Sequence, residues 1–265
     1  MKNIAIIGAG NLGFAIAQGL INSGFVNQSQ IFLAEKDSKR AEFLKHQSYQ
    51  VTGDSQEAVD QADYVILTVK PYQIEDVLIE IRNRLKTDKH VLISCAPAIN
   101  SQFVFGTLDF QLPFFRVMPN TAMAVQTSMS CITPFNATEE QKEAIDALFK
   151  QLGETLFIDE SLMDAATVNG GCGTAFALRF IRAMMEGAIE MGFKADMAQK
   201  IAAQTVKGAA ELILQSGTHP ETEIDKVTTP KGITITGLNE MEHQGFSSAV
   251  IQGLMKSYKK LNPDK

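Results

Sequence analysis

The chain contains no tryptophan, only three cysteines, and no apolar run long enough to cross a membrane. The cysteines, Cys95, Cys131 and Cys172, have neither the spacing of a disulfide framework nor that of a zinc site. We therefore expect no metal and a reducing compartment, the cytoplasm. Because the first residues resemble a strand and not a charged segment followed by an apolar one, we expect no signal peptide.

Basic residues are also fewer than acidic ones. The 265 residues include 24 Lys and Arg against 30 Asp and Glu, which gives a formal net charge of −6. This balance argues against nucleic acid or an anionic membrane as a partner. The hydrophobic content of 45% is ordinary for a globular protein, and the length is sufficient for two domains.

The N-terminal stretch carries the clearest motif. An apolar run of strand length, Asn3–Ile7, leads directly into Gly8–Gly13, which reads GxGxxG, and apolar residues then recur at helical spacing. In this context Gly8 permits a tight turn, Gly10 lets the backbone approach a pyrophosphate, and Gly13 lets helix and strand pack closely. The sequence therefore predicts a dinucleotide-binding fold, although a glycine-rich turn in another α/β protein remains the alternative.

The residues that follow the second predicted strand, Gln30–Ala34, indicate whether the chain prefers NAD or NADP. An acidic side chain there accepts a hydrogen bond from the 2′-hydroxyl of NAD, whereas a basic one favours the 2′-phosphate of NADP. This chain offers both, Glu35 and then Lys36. A solvated turn without ligand contact is an equal alternative for either residue alone.

Strand and helix patterns alternate as far as Ile158, and long helical patterns replace them beyond about Asp159. We predict an α/β fold, with a doubly wound, mostly parallel sheet in residues 1–159 and an all-helical domain in residues 160–265. The predicted long helices are Ser161–Gly192, Lys194–Ser216 and Ile233–Lys260, the last with a break near Gly245. The helical half is rich in Ala, Met, Leu and Ile, so it is either ordinary core or a surface that a second copy covers, and we favour a dimer.

One loop in the helical half is of particular interest. Val227–Thr234 lies between helical patterns and leads directly into Ile235–Leu238. Pro230 and Gly232 are suited to a turn that exposes backbone N–H groups, which would suit a carboxylate, and Thr234 adds a hydroxyl. A threonine near a helix start is, however, often only an N-cap.

From end to end the chain resembles pyrroline-5-carboxylate reductase. The matching segments are Gly8–Gly13, Val69–Pro71, Arg116–Thr121, Gly171–Gly173 and Thr228–Leu238, of which the last is the most specific. The resemblance implies a Rossmann domain, a helical domain that forms a homodimer or a larger homo-oligomer, and hydride transfer from NADPH or NADH, with NADPH slightly favoured. The product of this last step of proline biosynthesis is L-proline.

The resemblance also implies site residues. Thr234 is the expected catalytic residue, and the expected substrate contacts are Glu160, Gly232, Ile233 and Thr234. The expected cofactor contacts are Gly8, Ala9, Gly10, Asn11, Leu12, Glu35, Lys36, Ser55, Thr68, Val69, Lys70, Pro71, Cys95, Ala96 and Pro97.

The residues suit this chemistry. A protonated cyclic imine accepts hydride readily, so the protein needs mainly to position the ring, hold the carboxylate and supply a hydrogen-bond partner for the nitrogen. No catalytic histidine is required, and we interpret all four histidines, His46, His90, His219 and His243, as surface residues. A β-hydroxyacid dehydrogenase is disfavoured, because its lysine after the glycine pair is replaced here by Ala177.

Several residues depart from the family pattern. Lys231 and Ala98 stand where a glycine is usual, Cys172 where a serine is usual, and Ala122 where a proline follows Asn-Thr. An outward-pointing Lys231 is the favoured interpretation over one that crowds the loop or adds a cation to the site. Besides an active reductase, two hypotheses remain open: a reductase of another imine, and a non-catalytic dinucleotide-binding regulatory homologue.

Overall fold

The computed structural model describes residues 2–262, which divide by their contacts into two compact units between Gly171 and Cys172. The boundary near Asp159 remains a prediction. Among the described residues, eight strands form one sheet in the first unit. The strands are β1 Ile4–Ile7, β2 Ile31–Ala34, β3 Gln50–Thr52, β4 Tyr64–Leu67, β5 Val91–Ser94, β6 Phe114–Met118, β7 Ser128–Phe135 and β8 Gly153–Phe157.

The strand order is β3-β2-β1-β4-β5-β6-β7-β8. Every neighbouring pair is parallel except β6 and β7, which are antiparallel. The predicted doubly wound, mostly parallel sheet is therefore confirmed. The chain leaves β1 toward β2 and later returns to the other side of β1 as β4, so the switch in strand order lies at β1, where such sheets bind ligands.

The core covers both faces of this sheet. Along β1, Ile4 and Ile6 pack into one buried cluster, whereas Ala5 and Ile7 pack into the other. Successive side chains of a strand point to opposite faces, so a strand covered on both sides is expected to be apolar throughout, as β1 is.

Helices cover both faces of the sheet and make up most of the second unit. In the first unit they are α1 Asn11–Asn22, α2 Ser38–His46, α3 Ser55–Asp60, α4 Ile74–Ile81, α5 Ser101–Leu108, α6 Glu139–Lys150 and α7 Met163–Ala166. In the second they are α8 Gly173–Glu190, α9 Ala195–Ser216, α10 Pro220–Lys226, α11 Ile233–His243 and α12 Phe246–Leu261. Within residues 2–262, no helix has the length and apolar character that a membrane crossing requires.

Two sequence predictions need correction. The continuous helix predicted over Ser161–Gly192 is wrong, since a π-helical segment, Thr167–Cys172, separates α7 from α8. Glycines weaken the regular helix there. The prediction that His90 lies on the surface is also wrong. His90, just before β5, is only 1% exposed. Its ring turns inward to cap the preceding turn, and its Nδ1 accepts a 2.8 Å hydrogen bond from the Lys86 backbone N–H.

Candidate functional site

A cleft of about 690 Å³ opens in the first unit at the carboxyl ends of β1, β2 and β4. It brings together ten of the predicted cofactor residues, which are Gly8, Gly10, Asn11, Leu12, Glu35, Lys36, Ser55, Thr68, Val69 and Lys70. The remaining walls include Gln73, Asp76 and Thr121, none of which was predicted from the sequence. Gln73 and Asp76 follow the Lys70–Pro71 turn closely, so their position beyond a strand end was the available signal.

The glycines of the loop have distinct structural roles. Gly8 has a φ of +93°, and a Cβ there would lie 2.7 Å from Val69 Cγ1. A Cβ on Gly13 would collide with the carbonyl oxygen of Gly8, whereas one on Gly10 would meet nothing within 4 Å. Thus Gly8 and Gly13 are needed for the turn and the packing, and Gly10 leaves open space beside the backbone, as a pyrophosphate requires.

The loop is held in place from the neighbouring strands. The Thr68 hydroxyl donates a 2.6 Å hydrogen bond to the carbonyl of Gly8, and the Gly8 N–H donates to the carbonyl of Ala34. Gly10 is the N-cap of α1 and supplies no side-chain cap, so the first N–H groups of this 12-residue helix face the cleft without an intrahelical partner. The open cradle and the free N–H groups fit a dinucleotide diphosphate.

Five predicted cofactor residues do not line this cleft: Ala9, Pro71, Cys95, Ala96 and Pro97. Ala9 is buried, and its carbonyl accepts a 3.0 Å hydrogen bond from Arg40 Nε. Cys95 is 2% exposed, and burial raises the pKa of its thiol to about 12, so the thiol stays neutral at physiological pH. Contact between these five residues and the cofactor remains a prediction.

Glu160 belongs to a polar cluster with Ser101 of α5 and Arg116 of β6. Its Oε1 accepts hydrogen bonds from the Ser101 N–H (2.8 Å) and from Arg116 Nη1 (3.0 Å), and its Oε2 accepts one from the Ser101 hydroxyl (2.8 Å). Burial alone raises the pKa of Glu160, but the donors on Ser101 and Arg116 outweigh it and hold that pKa below its usual value. Glu160 is therefore a fixed carboxylate that neutralises the buried Arg116, and its contact with substrate remains a prediction.

The loop before α11 has the turn that the sequence indicated. The Gly232 N–H donates a 2.9 Å hydrogen bond to the carbonyl of Thr229, which closes a turn across Pro230 and Lys231. Lys231 occupies the third position of this turn with a φ of +60°, where glycine is ordinarily preferred. Lys231 is exposed, and its orientation relative to the substrate remains a prediction.

Gly232 and Thr234 have separate roles at the start of α11. Gly232 is the N-cap, and a Cβ there would lie 2.6 Å from the Thr229 hydroxyl. Thr234 is the second residue of the helix, so the interpretation of Thr234 as an N-cap is wrong. Gly232 provides no side-chain cap, and Thr234 is exposed, as is its neighbour Ile233 at 93%. The arrangement presents free N–H groups and a hydroxyl at one helix end, which suits a carboxylate-bearing ligand.

Three of the residues that depart from the family pattern have distinct local surroundings. Ala98, like Lys231, has a positive φ (+61°), a conformation that is strained for a residue with a Cβ and that glycine would adopt without that strain. Ala122 donates its N–H to Asn120 Oδ1 at 3.0 Å, a bond that a proline there would lack. Cys172 ends the π-helical segment.

Family models match both parts of the chain. Residues 160–263 match the model described as pyrroline-5-carboxylate reductase dimerisation. Residues 3–98 match the model described as NADP oxidoreductase coenzyme F420-dependent. The second match covers the glycine loop and β1 to β5, which include the three strands whose ends form the cleft.

Individual proteins are similar over nearly the full chain. Pyrroline-5-carboxylate reductase 2 of Dictyostelium discoideum is 40% identical over 98% of this chain and 92% of its own length. Reductase 1 of the same organism is also 40% identical, but the chain spans only 48% of that longer relative. The crystal structure of the Streptococcus pyogenes enzyme is 28% identical and covers 98% of each chain with a TM-score of 0.86. The fold, the glycine-loop cleft and these similarities together place the chain in the pyrroline-5-carboxylate reductase family.

Proposed function

We propose that the protein reduces 1-pyrroline-5-carboxylate to L-proline with NADPH or NADH, the last step of proline biosynthesis. The observation that supports this most strongly is 40% identity over 98% of the chain with a reductase of that name, combined with an intact dinucleotide cleft. The bound nicotinamide would supply the hydride that the imine carbon accepts.

The residues of the chain divide the remaining tasks. The N–H groups at the start of α1 and the open space at Gly10 hold the diphosphate, while the start of α11 holds the substrate carboxylate. Thr234 Oγ1 serves as the hydrogen-bond partner of the ring nitrogen, which is protonated before hydride arrives and becomes the amine of proline. Because the iminium is already electrophilic, this site needs positioning more than a strong general acid.

We further propose a homodimer through the helices of the second unit. Their surface carries exposed apolar side chains, among them Leu178 (60%), Met191 (77%), Leu212 (55%), Leu214 (74%) and Ile251 (55%). So much exposed apolar surface is typical of an interface. The three free thiols, Cys95, Cys131 and Cys172, support a reducing, cytoplasmic location.

The function is tested by the initial rate of NADPH and NADH oxidation with racemic pyrroline-5-carboxylate at near-neutral pH. We expect turnover with at least one nucleotide and none without the imine. Clear nucleotide binding without turnover would contradict the proposal and favour the regulatory homologue. Turnover with a different cyclic imine alone would favour the reductase of another substrate.

A further inference from the structure

The adenosine end of the cleft contains an ion pair that we connect to the choice between NADPH and NADH. This connection rests on the proposed function. Lys36, two residues beyond the end of β2, lines the cleft beside Glu35. Its Nζ lies 2.8 Å from Oε2 of Glu80, a residue of α4 that does not itself line the cleft.

Lys36 is the cation best placed for a 2′-phosphate. The adenosine ribose of a dinucleotide meets the end of β2. Lys70, the other cation of the cleft wall, follows β4, which β1 separates from β2. Arg40 is engaged elsewhere, since its Nε donates to the Ala9 carbonyl and its guanidinium lies 4.9 Å and 5.1 Å from the ring centroids of Phe14 and Phe43.

Glu80 has contacts besides the one with Lys36. Its Oε1 lies 3.4 Å from the N–H of Ser55, the first residue of α3, and its backbone carbonyl accepts a 2.9 Å bond from the Gln56 side chain. Glu80 is also the more enclosed partner, with 24% of its side chain exposed against 69% for Lys36. The lysine is therefore the more exposed member of the pair, and the glutamate has contacts of its own on α3.

We propose that Glu80 is a nucleotide-specificity residue that lowers the selectivity for NADPH by competing with the 2′-phosphate for Lys36. NADH carries no 2′-phosphate and leaves the pair intact. NADPH must draw Lys36 away from Glu80, while the Glu35 carboxylate, fixed over its own turn by a 2.9 Å bond from the Asp37 N–H, favours a 2′-hydroxyl. Binding of NADPH is thus weakened by the free energy of the ion pair, and binding of NADH is not.

The test compares dissociation constants for NADPH and NADH, measured by nucleotide fluorescence without substrate, in wild type and in Glu80→Gln. Glutamine keeps an acceptor for the Ser55 N–H but releases Lys36. Exposed ion pairs are weak, so we expect NADPH to bind roughly two- to fivefold more tightly and NADH to bind unchanged. Equal effects on both nucleotides, or no effect on either, would overturn the inference.

Two further variants separate competition from a general change in charge. In Lys36→Ala, which should weaken NADPH much more than NADH, adding Glu80→Gln should no longer improve NADPH binding, because no lysine remains to be released. Glu75→Gln removes the same charge from an exposed position of α4 and should leave the NADPH to NADH ratio unchanged. An undiminished effect of Glu80→Gln in the Lys36→Ala background would overturn the inference.

The measurement keeps this inference separate from the proposed function. If the wild type binds nucleotides and turns over the imine but Glu80→Gln leaves the ratio unchanged, only the role of Glu80 fails. If the wild type binds neither nucleotide, the proposed function fails and this inference fails with it.

Discussion

At the scale of single residues, Thr234 offers the sharpest test of the substrate chemistry. Its hydroxyl is exposed on the second residue of α11, and the structure gives it no partner among residues 2–262. We predict that Thr234→Ala lowers kcat by about tenfold to a hundredfold while nucleotide affinity stays nearly unchanged, since one lost hydrogen bond to a charged group is worth about 1.5–3 kcal/mol. Steady-state kinetics with nucleotide titrations measures both quantities.

Thr234→Ser is the matched control for this prediction. It keeps the hydroxyl and should recover most of the turnover that Thr234→Ala loses. Full wild-type activity in the alanine variant would rule out the assigned role, and equal loss in both variants would indicate packing in place of hydrogen bonding.

Lys231 carries backbone strain that glycine would relieve. A non-glycine residue in the left-handed region costs about 1–2 kcal/mol, partly offset by the larger entropy of glycine in the unfolded chain. We predict that Lys231→Gly raises the free energy of unfolding by up to about 1 kcal/mol, measured by urea denaturation. The control is Lys200→Gly within α9, which should instead lower it by about 1 kcal/mol. A comparable loss of stability in both variants would contradict the strain at Lys231.

His90 should make stability depend on pH. Burial, and then the charge of Lys89, lowers the pKa of His90 below its usual 6.5, so the unfolded chain binds this proton more readily. The stabilising contribution is complete above the unfolded pKa and is lost as the pH falls below it. We predict that the free energy of unfolding decreases between pH 7 and pH 5 and that His90→Gln flattens this dependence. His46→Gln, on the exposed surface of α2, should leave the slope as in wild type, and an unchanged slope in His90→Gln would refute the assignment.

At the scale of elements, the Arg116 cluster joins β6, α5 and the segment before α7. The Arg116 side chain is 5% exposed, and its guanidinium lies 3.0 Å from Glu160 and 3.8 Å from Asp164. Glu160→Gln would leave this buried cation with a weaker partner, so we predict a loss of roughly 1–3 kcal/mol in the free energy of unfolding. Urea denaturation measures the loss, and a variant as stable as wild type would show that Asp164 alone suffices.

The sequence predicted elements best where the chain is regular. The apolar run Asn3–Ile7 identified β1, the predicted strand Gln30–Ala34 identified β2, and GxGxxG identified the loop between β1 and α1, because backbone sterics determine that motif locally. Neither α5 nor α10 was expected. The break before α8 was missed, although Gly170 and Gly171 within the π-helical segment were the available signal.

Contacts between distant residues could not be predicted in the same way. The pairing of Lys36 with Glu80 depends on how α4 packs against α3, and no local pattern encodes it. His90 was misjudged for a related reason, since its polar neighbours in sequence do not reveal that its ring turns inward to cap a turn. The cleft itself was largely predictable, because strand ends in a doubly wound sheet meet at one edge.

At the scale of the whole molecule, we expect the chain to associate with itself. The exposed apolar side chains of α8, α9 and α12 would be costly to leave in water. We predict that sedimentation at micromolar concentration gives at least twice the 29.0 kDa mass of the chain. A single species of chain mass under those conditions would contradict the proposed dimer.

Hydride transfer from the nicotinamide to the imine carbon of pyrroline-5-carboxylate is the reaction that every proposed role of this chain serves. The decisive experiment supplies nucleotide deuterated at the transferable position of the nicotinamide and analyses the product by mass spectrometry and chiral chromatography. We expect L-proline that carries one deuterium at the former imine carbon. Nucleotide oxidation without labelled proline, or nucleotide binding without any product, would show that the proposed reaction is wrong.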